Sequence, residues 1–163
     1  MDERLDGSGG PQQSRSMTDQ TPPALPRPDQ LPPVRAVADL DRLWRSLKGP
    51  WGFSRPQVWC VVLGPVGEWT SILLKIDDCP ERPDVEQVAN LLGVLTSVVL
   101  DSVPGGSVAL LYARPGGDDQ HAGDRLWARE LDAAGRRVPV DVWPVFLAND
   151  DRVRIVAPDD LAA

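Results

Sequence analysis

The stretch Leu110–Gly135, LLYARPGGDDQHAGDRLWARELDAAG, decides the fold. It begins inside the apolar run Ser107–Ala113, SVALLYA. A continuous apolar run, rather than alternation, is what a strand covered on both faces requires. Pro115-Gly116-Gly117 stops it, because proline cannot donate a ladder hydrogen bond and glycine accepts turn dihedrals. A short acidic loop follows, carrying the only histidine of the chain, His121. From Asp124 to Ala134 the spacing of Trp127, Leu131 and Ala134 then predicts a helix with one apolar side. Strand, tight turn, polar loop and helix form the repeating unit of a sheet with helices on its faces.

The pattern continues on both sides. Upstream, Val85, Val88, Leu92, Leu95 and Val99 recur at helical spacing, predicting a helix over Val85–Asp101. Asp84 stands at its N-cap, with Gln87 three residues on in a capping-box pattern. Before it, QVWCVVLG and WTSILLKI read as two strands joined by the hairpin loop GPVGEW. VADLDRLWRSLKG places Val37, Leu40, Leu43, Trp44 and Leu47 on one helical face, stopped by Gly49 and Pro50. Downstream, VPVDVWPVFLA and RVRIVAP read as two strands around the turn NDD. The expected fold is α/β (α+β): a single mixed sheet of about five strands with three helices, in the order α-β-β-α-β-α-β-β.

Residues 1–33 are different in kind. They hold seven of the 17 prolines with Gly, Ser and Gln, and few large apolar side chains. Such a segment cannot offset its ordering entropy by burial, so a disordered Pro-rich tail is expected, followed by one globular domain over 34–163. Pro23 and Pro26, followed by Arg27, form a PxxP pattern within that tail.

Seventeen basic residues stand against 24 acidic ones, for a net charge of −7. A protein that grips phosphate backbones needs a basic face, so no nucleic-acid partner is expected. No apolar stretch approaches a membrane span and no signal sequence precedes the domain, so the chain is expected to be cytoplasmic and without membrane contact. Cys60 and Cys79 make no disulfide framework. Cys60 falls in a strand and Cys79 in the turn IDDCPERP, where exposure is expected.

The segment YARPGGDDQHAGD, with the element order around it, resembles the RadC-like branch of the JAB/MPN family. That family's zinc motif is H-x-H-P-S-G, then a loop, then S-x-x-D. Its two histidines and aspartate bind the metal, and an upstream glutamate serves the attacking water. The resemblance runs over about Gln57–Ala163. Pro115 and Gly117 match the turn, Tyr112 and Arg114 stand where the histidines would be, and Asp124 lies near the aspartate, one residue short of the usual spacing. Three ligands would leave zinc an open position for water. A protonated phenol and a permanent cation supply neither histidine's function. The resemblance therefore implies a non-catalytic domain with no cofactor, acting on an unknown protein partner. Its candidate vestigial groove is Tyr112, Arg114, Pro115, Gly117, His121 and Asp124. Two other readings stay open: a hydrolase with a metal site rebuilt from His121, Asp118, Asp119 and Asp124, or an anion-binding module centred on Arg114. A second stretch, LKGPWGFSRPQVWCVVLG, looks like the start of uncharacterised actinobacterial domains, which implies a family without an activity.

Six tryptophans are many for a chain of this size. Trp44, Trp59 and Trp127 fit core positions. Trp51, Phe53, Trp69 and Trp143 lie at element ends and form a candidate aromatic interaction surface. The aspartate pairs 77–78, 118–119, 150–151 and 159–160 each fall where an element ends, where aspartate serves turns and caps.

Overall fold

The computed structural model describes residues 30–117 and 121–162. One mixed sheet organises them. β1 (Gln57–Leu63) is antiparallel to both β2 (Trp69–Asp77) and β3 (Ser107–Ala113). β3 pairs in parallel with β4 (Asp141–Val142) and β5 (Phe146–Ala148), and β5 pairs antiparallel with β6 (Val153–Ile155). The strand order is β2-β1-β3-β5-β6, with β4 also on β3.

Three helices sandwich this sheet: α1 (Val37–Lys48), α2 (Val85–Ser102) and α3 (Ala122–Gly135). Side chains alternate across the strands, and two cores result. Val58, Cys60 and Val62 of β1 and Val108, Leu110 and Tyr112 of β3 face α2 and α3. Val61 and Leu63, with Ala109, Leu111 and Ala113, face Leu40, Leu43 and Trp44 of α1. Burial on both faces is why β1 and β3 read as unbroken apolar runs.

The expected order of long elements holds, with six strands rather than five. The segment read as one strand over 138–148 is broken into β4 and β5 at Trp143-Pro144. The Trp143 N–H still donates to the Val108 carbonyl at 2.8 Å, but Pro144 has no N–H to continue the ladder. A short helical segment, α4 (Pro158–Ala162), ends the described chain. At the start of α2 the Asp84 carboxylate accepts the N–H groups of Glu86 and Gln87 at 2.9 and 3.1 Å. Val85 leaves the expected apolar stripe and is 56% exposed.

Residues 1–29, including the PxxP pattern at Pro23 and Pro26 and Arg27, lie outside the described residues, as do Asp118 and Asp119. Leu31 already packs against the α1-side core, and Val34 is buried, its N–H donating to the Gly67 carbonyl at 2.7 Å. Gly67 is a glycine of necessity: its φ is +81°, and a Cβ there would overlap the Val34 carbonyl. No described helix is long and apolar enough to cross a membrane.

Candidate functional site

The end of β3, its turn and the start of α3 come together on the α2/α3 side of the sheet. Tyr112 and Arg114 are two residues apart, so both project from that face. Arg114 is 5% exposed and Asp124 6%. Arg114 Nε donates to Asp124 Oδ1 at 2.7 Å and Nη2 to Oδ2 at 3.0 Å, a two-pronged ion pair, while Nη1 donates to the Pro115 carbonyl at 3.1 Å. Planar guanidinium and planar carboxylate match in this way, and the match offsets the cost of taking both charges out of water. Asp124 also accepts the His121 N–H at 3.1 Å, closing the first turn of α3. The helix starts at Ala122, two residues before the expected Asp124, because His121 rather than a later residue is its N-cap.

Beside the ion pair, Tyr112 stacks on Trp127 with ring centroids 5.4 Å apart and an interplanar angle of 6°. The Trp127 indole N–H donates to the Pro80 carbonyl at 2.8 Å, drawing the β2–α2 loop over α3. Burial, followed by the nearby Asp124 carboxylate, pushes the Tyr112 phenol up to about 12. It is therefore a neutral phenol at ordinary pH. Cys79 belongs to the same loop and is 7% exposed, which corrects the expectation of a surface thiol. The loop turns inward there: the Cys79 N–H reaches the Pro56 carbonyl at 3.0 Å and the thiol donates to the Ile76 carbonyl at 3.6 Å. Desolvation raises the Cys79 thiol above its ordinary value, and pushes Cys60 up to about 12.

The Pro115-Gly116-Gly117 turn is fastened from the other side by a residue that sequence reasoning treated as an ordinary turn aspartate. Asp150, after β5, accepts the Phe53 N–H at 2.7 Å and the Gly116 N–H at 2.8 Å, and its own N–H donates to the Gly116 carbonyl at 3.0 Å. Asn149 Nδ2 adds a bond to the Gly117 carbonyl at 3.0 Å. Gly52 lets the carboxylate in, since a Cβ there would stand 2.5 Å from Asp150 Oδ1. The two backbone donors hold the Asp150 carboxyl below its ordinary value. A depressed carboxyl stabilises the fold above the ordinary carboxylate range and loses that contribution as pH falls through it. By losing two backbone hydrogen bonds at an exposed, screened position, Asp150→Ala should cost about 1 kcal/mol near pH 7, and the penalty should shrink as the pH falls below the ordinary carboxyl value of 3.8. Thermal melts of both proteins across that range would show the two curves converging.

His121 is exposed, and it joins the buried Arg114–Asp124 pair through its backbone N–H. Tyr112, Arg114 and Asp124 do not fit a zinc ion. Both carboxylate oxygens accept from a cation already in place, and the phenol holds its proton. Among the described residues no group of three or more His, Cys, Asp and Glu side chains converges to hold a metal. The aromatic residues at element ends do not form one surface. Phe53 is 8% and Trp69 4% exposed, both packed in the α1-side core. Trp143 is half-buried, its indole N–H bonded to Ser107 Oγ at 2.9 Å, and it lines a groove of about 580 Å³ with Val34, Pro65 and Asp141. Trp51 alone of the four is exposed, at 49%.

The pairing of Arg114 with Asp124 had one signal in the sequence. An arginine continuing a strand buried on both faces needs a buried acid, and the first turn of the next helix offers Asp124. The role of Asp150 had none, because its partners lie 97 and 34 residues away in the chain. No family model matches this chain, and no curated protein matches it.

Proposed function

We propose that this chain is a non-catalytic domain of the JAB/MPN, RadC-like kind that serves as a protein-interaction module. The observation that carries the reading is the buried Arg114–Asp124 ion pair. It lies where the resemblance puts a metal ligand and its aspartate, and a fixed guanidinium stands in the metal's place. A cation built into the chain keeps Asp124 neutralised and the strand end joined to the helix, with no water to activate. Support also comes from the strand order and from the tight turn that follows Arg114. The anion-binding reading is weakened by the same pair, because Nε, Nη1 and Nη2 of Arg114 each have a protein acceptor.

Zinc content tests this reading in both directions. Elemental mass spectrometry after dialysis against trace zinc should find no stoichiometric zinc on the natural protein. The double variant Tyr112→His/Arg114→His should take up about one zinc per chain, and adding Asp124→Ala should abolish that uptake. One zinc per natural chain, or a folded double variant that binds none, would reject the proposal.

A further inference from the structure

We propose that the outer edge of β2 pairs antiparallel with β2 of a second copy of this chain, the two-fold axis passing between the two Leu74 residues. β2 ends the sheet, and among the described residues nothing pairs with its outer side. Backbone hydrogen bonds fix which residues face outward. The Val108 carbonyl and the Arg114 N–H both bond toward β4 and β5, so even-numbered β3 residues face away from β1. Odd-numbered residues of β3 and β1 therefore bond to each other, leaving even-numbered β1 residues for β2. In the β1–β2 register these meet Ile72, Leu74 and Ile76. Leu73, Lys75 and Asp77 thus direct their N–H and C=O groups out of the sheet.

The side chains along this edge are unusual for one left to water. SILLKID has three consecutive aliphatic residues, Ile72–Leu74, and a fourth, Ile76, beyond Lys75; Leu74 and Ile76 are each 37% exposed. Exposed edges are normally blunted by a lysine projecting past them. Lys75 does not project in that way. Its ammonium lies 5.7 Å from the Trp59 ring centroid and 3.9 Å from Asp77 Oδ1, folded over the α1 face.

Self-pairing has few acceptable registers. With Lys75 on the axis, two ammonium groups would oppose each other. With Ile76 on the axis, pairing would run straight into Asp78, whose φ of +57° ends the strand. With Leu74 on the axis, Ile72 meets Ile76, Leu74 meets Leu74, and Leu73 meets Lys75. The outward-facing Leu73 and Lys75 then exchange the hydrogen bonds, no like charges are opposed, and the apolar side chains of both copies join in one row on the α2/α3 face. Ser71, with φ of +65°, limits the pairing at the other end. So short an interface makes a weak dimer, populated at concentrations on the order of 100 μM.

Sedimentation velocity on the full chain over about 10–500 μM should show a monomer–dimer equilibrium. Lys75→Pro removes an outward N–H without touching the β1 ladder, and Leu74→Lys places two charges on the axis; each should weaken association at least about tenfold. Leu74→Cys, at a close non-hydrogen-bonded pair, should give a covalent dimer under mild oxidation, while Val66→Cys on the exposed hairpin tip should not. A natural chain that stays monomeric throughout, or a dimer unaffected by Lys75→Pro and not trapped by Leu74→Cys, overturns the proposal.

Discussion

Arg114→Ala should lower stability by about 3–5 kcal/mol, because it leaves the Asp124 carboxylate buried with no cation beside it. Asp124 is 6% exposed and would lose the partners of both oxygens on the guanidinium side. For a domain of this size the thermal midpoint should fall by about 10 °C or more. Asp124→Ala should be as costly from the other direction, stranding the guanidinium and also removing the acceptor of the His121 N–H. Asp124→Asn separates these effects, since an amide oxygen can still cap the helix while the charge is gone. The double variant Arg114→Leu/Asp124→Leu should lose less than the sum of the two alanine variants, because neither charge then has to be desolvated. Urea unfolding of the four proteins measures this directly. Additive losses would mean that the two groups do not act as a pair.

Trp127→Ala should cost about 3–5 kcal/mol. Three connections go at once: the stack on Tyr112, the burial against the α2/α3 core, and the hydrogen bond that holds the Pro80 carbonyl. Trp127→Phe keeps a ring against Tyr112 and gives up the indole N–H, so it should cost clearly less. The two variants also report on Tyr112. Its phenol is raised in the folded protein, so the stability it contributes is complete below the ordinary tyrosine value of 10.0 and is lost as pH rises from there through about 12. Cys60, raised from 9.0 to about 12, acts in the same direction from a slightly lower pH. The natural protein should therefore unfold steeply in that alkaline window. In Trp127→Ala, where the phenol gains water, the Tyr112 share of that dependence should diminish. Tyrosinate absorbance and ellipticity followed together against pH would show it. With a single tyrosine in the chain, the absorbance has one source.

Dimerisation through β2 concerns a different part of the molecule from Asp150 and the histidine-substituted site, which meet at the turn after β3. Asp150 ties three loops together from an exposed position, whereas Arg114 and Asp124 join one strand to one helix from within. The acid-sensitive contribution of Asp150 therefore comes from loops, and the alkali-sensitive one of Tyr112 and Cys60 from the core.

The amino-acid sequence by itself determined the helices, the long strands and their order, because helical spacing and unbroken apolar runs are local signals. The caps at Asp84 and Gly49 were legible for the same reason, as each acts on backbone within a few residues. Pro144 was visible too, but its consequence was not: whether a proline ends a strand or only interrupts it depends on whether a neighbour resumes the ladder, as Leu111 does for Phe146. Only the tertiary structure decided that Cys79, Phe53 and Trp69 are buried. The burial of Cys79 and Phe53 follows from loops folding back onto the sheet, and that of Trp69, at the start of β2, from α1 covering its face; no property of a residue at an element end announces what will cover it. The site divides along the same line. Tyr112 and Arg114 could be placed on one face of one strand from their spacing, but the partner of Arg114 is fixed by how α3 docks on the sheet. The grip of Asp150 on Phe53 and Gly116 depends on three separate loops meeting at one point. Contacts between distant segments are set by packing of the whole chain, and the local pattern of a sequence carries no record of them.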